Sequence, residues 1–168
     1  MQRPWNRVNL PVYSISSKGL HGEANMHIIT YAQAVSMKPK QFICAIYYGT
    51  KTLELVESNP HFVLQILSKE QYRLVELLGK KSGTQINKIE RLAKRNLLTE
   101  WNGFYILKDA LAVMEMKAAP LSFDEELNTI IQQPDHKLFL CNVVAFKNLQ
   151  EGEALTLDIL REKKLIRM

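Results

Sequence analysis

Hydrophobic positions along the chain come in short runs punctuated by turn-forming residues. Residues 11–16 (Pro-Val-Tyr-Ser-Ile-Ser) are β-branched and aromatic-rich and read as a first strand. Residues 18–23, with Gly19 and Gly22, read as a turn, and residues 24–32, rich in Ile, Thr and Tyr, as a second strand. The chain breaks again at residues 36–40, around Pro39. The unbroken apolar run 42–48 predicts a strand buried on both faces. Gly49-Thr50 ends it and a short helix follows over residues 51–58, then a strand over 62–67. Apolar spacing of helical period predicts helices over 70–78 and 85–95. Strands return at 104–107, 111–117 and 138–146. Between the last two, Ser122-Phe123-Asp124-Glu125 has the form of a capping box opening a helix through residue 131, and residues 155–160 read as a last strand. Many short strands with a few helices between them predict a mainly β fold, an antiparallel barrel with helical insertions. A parallel dinucleotide-binding sheet fits poorly: strands and helices do not alternate regularly, and no Gly-x-Gly-x-x-Gly is present.

Composition narrows the class. A length of 168 residues suits a single domain over 1–168, and 46% hydrophobic residues supply a continuous core. No apolar run approaches the ~20 residues of a membrane span, and Met1 to Arg7 lack the apolar stretch of a signal peptide. Cys44 and Cys141 lie far apart inside apolar runs, without metal-like spacing. They read as buried free thiols, which makes the reducing cytoplasm the expected compartment and leaves no metal site expected. The net charge of +5 suits anionic small ligands as well as nucleic acid. Part of it recurs at helical spacing as Lys88, Arg91, Lys94 and Arg95, the expected solvated face of a helix whose apolar side is Ile86, Ile89, Leu92 and Ala93. Another part is Arg161-Glu162-Lys163-Lys164 near the end. No aromatic residues interleave with the basic ones, so no nucleic-acid partner is expected, and without a spanning apolar run no membrane is expected.

Three local features carry candidate chemistry. At Tyr48-Gly49-Thr50-Lys51-Thr52-Leu53 a strand runs into a glycine and then a helix-capping hydroxyl. The first N–H groups of a helix lack internal partners and sit at its positive dipole end, so two hydroxyls and a lysine there suit a phosphate. An ordinary cap with an exposed lysine explains the same residues. In the strand Asn25-Met26-His27-Ile28-Ile29-Thr30-Tyr31, polar Asn25, His27 and Thr30 among apolar neighbours suit a ligand wall, or simply a half-exposed strand. Lys80-Lys81-Ser82-Gly83-Thr84 is a flexible basic turn, suited to an anion or to solvent. Hydrolytic chemistry finds no support, because Gly-x-Ser-x-Gly and His- or Cys-rich spacings are absent. His136 beside Asp135 is an acid–base pair of a kind common by chance.

The order of these features resembles the flavin reductase-like family of FMN-binding split β-barrels, which includes the flavoredoxins. The likeness runs from about Pro11 to Phe146. It comprises Pro11-Val12, then Asn25 to Tyr31 followed by Ser36 and Pro39, then Thr50-Lys51-Thr52-Leu53 and Phe62-Val63. It continues through Ser82-Gly83 with Asn87-Lys88, Ala110-Leu111-Ala112 leading to Glu115-Met116, and Asp135-His136 at the start of the final strand. The chain departs from the family pattern at Ile28, where a threonine is usual, at Lys40 for proline, at Asn87 for aspartate and at Met116 for cysteine.

The resemblance implies a homodimer of split barrels that binds FMN near the dimer interface. Asn25, His27, Ile28, Ile29, Thr30 and Tyr31 would line the isoalloxazine, partly through backbone groups. Gly49, Thr50, Lys51 and Thr52 would hold the phosphate, Ser82, Gly83 and Lys88 would lie near the flavin or its phosphate, and His136 would lie close by without an assigned role. No protein general base is required, since the flavin carries the chemistry. The expected function is NAD(P)H-dependent flavin reduction, with NADH or NADPH as the electron donor. The alternatives are a flavoredoxin-type electron carrier that never meets a nicotinamide, and a basic binding module without cofactor.

Overall fold

The computed structural model describes residues 4–122 and 134–166. After a 3₁₀ turn at Pro4–Arg7, the chain forms strands β1 (Tyr13–Lys18), β2 (Ala24–Ile29), β3 (Ala32–Met37) and β4 (Lys40–Tyr47), helix α1 (Lys51–Ser58) and strand β5 (His61–Ile66). A 3₁₀ segment (Lys69–Leu74) and a π turn (Glu76–Lys80) lead to helix α2 (Lys88–Lys94). Strands β6 (Leu98–Trp101), β7 (Phe104–Leu107), β8 (Ala112–Pro120) and β9 (His136–Asn148) follow, and helix α3 (Leu157–Glu162) closes the described chain.

Seven strands form one antiparallel sheet in the order β2-β1-β5-β8-β9-β4-β3. Its edge strands β2 and β3 are joined by only Thr30 and Tyr31. Two opposite edges cannot be that close unless the sheet curls on itself, so it forms a barrel, split where β2 and β3 fail to pair. Ile15, Ile46, Phe62, Leu64, Met116 and Cys141 fill the interior, and Leu53 and Val56 of α1 plug it. A second apolar cluster lies outside the barrel, where Leu74, Val75, Leu78 and Leu92 of the helical insertion meet Val12, Met26, Leu67 and Leu160. Cys44 and Cys141 are both free and buried.

The predicted mainly β architecture is the observed one, with several differences of detail. The strand expected over 24–32 divides at Thr30–Tyr31, because barrel closure requires a corner there. The strands buried on both faces are β1 and β5, not β4. The β7 strand packs over β5, whereas Tyr47 is 52% exposed and only Cys44 and Ile46 of β4 are buried. The helix expected over 70–78 is a 3₁₀ segment followed by a π turn, a change of pitch that turns Leu74, Val75 and Leu78 toward one cluster. The helix expected from residue 85 starts at Lys88, because the Asn87 side chain caps it by accepting from the Glu90 N–H at 2.9 Å. Residues 155–160 are not a strand. Leu155 makes two backbone bonds to its neighbours, Val12 and Leu67, and the chain then turns into α3, whose Leu160 is buried. Strand β6 was unanticipated; its signal is Asn102-Gly103, a two-residue hairpin turn with φ of 48° and 79°. The helix predicted from Ser122 to 131 lies outside the described residues.

Candidate functional site

Strand β2, the start of α1 and the segment from the π turn to α2 meet beside the split in the barrel. They enclose an open cleft of about 360 Å³, lined by Asn25 and His27, Tyr47, Gly49 to Thr52, Gly79 to Gly83, and Lys88. Nine of the residues singled out in the sequence are therefore brought together: Asn25, His27, Gly49, Thr50, Lys51, Thr52, Ser82, Gly83 and Lys88. Ile28, Ile29, Thr30 and Tyr31 do not line it. Ile28 is on the opposite face of β2 and packs on the outer cluster; Ile29 shares the face of Asn25 and His27 but lies further along, in the barrel core; Thr30–Tyr31 form the corner. His136 opens β9 just behind the cleft mouth, its ring edge-on to Tyr47 and Tyr31 at 5.2 and 5.1 Å and its Nδ1 2.6 Å from the Asp135 carboxylate. Tyr47, Gly79, Lys80 and Lys81 also line the cleft. The run Lys80-Lys81 was visible as a basic turn, and Gly79 and Tyr47 had no local signal that set them apart.

The phosphate-like corner is built by α1. Gly49 takes φ of +76°, which reverses the chain at low cost only for glycine. Thr50 then caps the helix: its Oγ1 accepts from the Leu53 N–H at 3.2 Å and donates to the Tyr47 carbonyl at 2.9 Å. Thr52 is wholly buried, with its Oγ1 accepting from Asn25 Nδ2 at 3.0 Å. Both hydroxyls are thus already engaged within the protein. What the corner offers an anion is the backbone N–H groups of Lys51 and Thr52, which have no acceptor inside the helix, and the positive end of the dipole. Lys51 adds a charge, shared with Glu54.

The opposite wall is basic. Lys80 and Lys81 follow the π turn, and Lys88 reaches in from α2. Lys88 was expected on a solvated helix face; instead it is buried, because its Nζ donates to the Leu78 carbonyl at 2.9 Å and ties α2 to the π turn. Burial pushes its ammonium down to about 8. His27 is held down to about 4, first by burial and then by the charges of Lys88 and His136, so it is neutral near pH 7. Its Nδ1 is buried with no hydrogen-bond partner among the described residues. Four lysines line the cleft and no carboxylate does.

The cleft also has a position where only glycine fits. A Cβ on Gly83 would lie 2.5 Å from Asn25 Oδ1, and Asn25 is itself buried and held by Thr52. A neutral imidazole, an unencumbered helix N-terminus and a wall of cations fit an organic phosphate that carries hydrogen-bonding edges.

A family model described as flavin reductase like domain matches residues 5–162. No curated protein sequence matches the chain. Among solved structures, an FMN-binding protein from Thermus thermophilus with bound 1-cyclohex-2-enone is similar at 20% identity and a TM-score of 0.71, over 89% of this chain and 76% of that one. The flavin reductase PheA2 in its native state is 21% identical with a TM-score of 0.68, over 93% of each chain. A flavoredoxin from Methanosarcina acetivorans is 16% identical with a TM-score of 0.68, over 87% of this chain and 74% of that one. At these identities the likeness speaks for the fold.

Proposed function

The chain belongs to the flavin reductase-like domain family, and on that footing we propose that the lysine-walled cleft binds FMN and that the protein is an NAD(P)H-dependent flavin oxidoreductase. The observation that carries this reading is the charge of the cleft: four lysines and the N-terminus of α1 converge with no lining carboxylate. When bound, FMN supplies the hydride-accepting ring, and the protein supplies position and electrostatics.

Each group then has a task. The N–H groups of Lys51 and Thr52 receive the phosphate, and Lys80, Lys81 and Lys88 neutralise it. Asn25 and Gly83 shape the wall, with Asn25 held in place by Thr52. Neutral His27 adds a polar ring to the cleft wall without adding charge. His136 packs edge-on against Tyr47, which lines the cleft. The homodimer is supported by exposed apolar side chains on β3 and β9, with Met37 86% and Phe146 59% exposed beside a groove also lined by Phe42, Met114 and Val143. Two buried free thiols accord with a reducing compartment, and among the described residues no helix is long and apolar enough to cross a membrane.

The test is the absorption spectrum of the purified protein with FMN, followed by NADH or NADPH in the absence of air. The expected result is FMN binding at micromolar Kd or tighter and bleaching of the flavin band. Absence of FMN binding sinks the reading. Binding with no bleaching by either nucleotide, together with ready reduction by dithionite, moves the protein to the electron-carrier alternative.

A further inference from the structure

A second cavity, of about 420 Å³, adjoins the first, and Lys81 lines both. Five of its seven lining residues are cations, Arg73, Lys81, Arg91, Lys94 and Arg95, against one carboxylate, Glu76. Two of the five are committed elsewhere: Lys94 to Glu90, and Arg73 to the Tyr72 hydroxyl at 3.4 Å. The side chains of Lys81, Arg91 and Arg95 make no hydrogen bond or ion pair among the described residues. Cations on the last turn of α2 are accounted for by the helix dipole. The dipole does not account for Arg73 and Lys81, which belong to a different segment and line the same cavity.

Arg91 and Arg95 lie four residues apart and share one face of α2. A phosphomonoester carries nearly two charges and three acceptor oxygens, which two guanidinium groups and an ammonium match. The same helix places Lys88 in the first cleft and Arg95 in the second, seven residues and about 10 Å further along the axis. With FMN in the first cleft, a donor whose reactive ring meets the flavin can therefore engage the second cavity only if it carries an additional phosphate at some distance from that ring. No aromatic side chain lines the second cavity, which disfavours a stacked nucleic-acid strand.

We propose that this second cavity is a subsite for the ribose phosphate of a phosphorylated nicotinamide dinucleotide, so that the electron donor is NADPH in preference to NADH. The proposal rests on the flavin reading of the first cleft for its donor, but the subsite itself is testable without it.

Two measurements test it. In anaerobic bleaching of the FMN-loaded protein, kcat/KM should favour NADPH over NADH by at least tenfold, and Arg91→Gln/Arg95→Gln should bring the ratio close to one while leaving the FMN Kd unchanged. Both arginines are exposed, and the retained FMN Kd reports that the variant is folded. In calorimetry, adenosine 2′,5′-bisphosphate should bind at least tenfold tighter than adenosine 5′-monophosphate, and the double variant should lose that difference. Equal use of the two dinucleotides, a ratio that survives the double substitution, or equal binding of the two adenosine phosphates overturns the subsite. If FMN itself fails to bind, the flavin reading falls, and calorimetry still decides the subsite by the same criterion.

Discussion

Asn25 on β2 donates from Nδ2 to the Oγ1 of Thr52 on α1 at 3.0 Å, and both side chains are buried. This bond joins the strand wall of the cleft to its phosphate corner. Gly83, from the opposite segment, rests on the other end of the same amide.

The first prediction follows from that stacking. Gly83→Ala places a methyl 2.5 Å from Asn25 Oδ1, and Asn25 cannot swing away without losing Thr52. The variant should lose about 1–3 kcal/mol of stability, the range for overpacking a filled site, and should bind FMN more weakly. Thermal unfolding and flavin fluorescence quenching measure the two effects. A variant with unchanged Tm and unchanged Kd would show that the amide is free to move.

How much of this was legible in the sequence depends on whether a residue's role is set locally. Gly49 and Thr50 could be read because a positive φ and an N-cap are local requirements. The alternation of Asn25 and His27 could be read because strand period is local. The corner at Thr30–Tyr31 could not, since it is imposed by closure of a seven-stranded sheet whose partners lie up to a hundred residues away. Lys88 was misplaced on a solvated face for a related reason. Helical periodicity records which side of α2 is polar, but not that the Leu78 carbonyl stands close enough to draw the ammonium inward.

The second prediction separates capping from phosphate binding. The Thr50 hydroxyl is engaged at both its donor and acceptor sides. Thr50→Ala should therefore cost about 0.5–2 kcal/mol of stability and weaken FMN and riboflavin alike. Lys80→Gln/Lys81→Gln should leave stability unchanged and weaken FMN several-fold, with little effect on riboflavin, which lacks the phosphate. Parallel titrations of both flavins check this; equal losses for the lysine variant would remove those lysines from the phosphate site.

The third prediction concerns assembly. If the exposed apolar face of β3 and β9 joins two copies, light scattering should give the mass of two chains. Met37→Asp/Phe146→Asp should shift it to one chain, since two exposed positions are converted without touching the core. A dimer that survives the double substitution uses another face.

The fourth prediction is acid sensitivity through His27. Its imidazole is held down to about 4 in the folded protein against an ordinary 6.5. Between those two values the unfolded chain binds the proton and the folded chain does not, so stability falls as pH drops from 6.5 toward 4. The full effect is roughly 3 kcal/mol at most. His27→Gln, which cannot charge, should flatten this part of the profile. Urea unfolding of both proteins from pH 7 to pH 4.5 measures the difference, and parallel profiles would assign the acid loss to other groups.

The last prediction links proton and ligand at Lys88. Burial pushes its ammonium down to about 8, so the free protein begins to lose that charge just above neutral pH. The phosphate of FMN is already a dianion there, its second ionisation lying near pH 6. Pairing the dianion with Lys88 stabilises the ammonium and raises its pKa in the complex. Between about pH 6.5 and 7.5 the lysine is mostly charged in both states and the phosphate mostly a dianion, so the FMN Kd should be nearly flat. Above pH 8 binding must take up a proton, so the Kd should rise, by up to about tenfold per pH unit until the pKa of the complex is reached. Calorimetry at pH 8.5 in two buffers of different ionisation enthalpy should show net proton uptake. Lys88→Gln should weaken FMN at pH 7 and abolish both the slope and the uptake, while riboflavin binding to the native protein should show a much smaller slope. A Kd that stays flat to pH 10, or a slope equal for both flavins, would mean that the Lys88 ammonium serves the Leu78 carbonyl and not the phosphate.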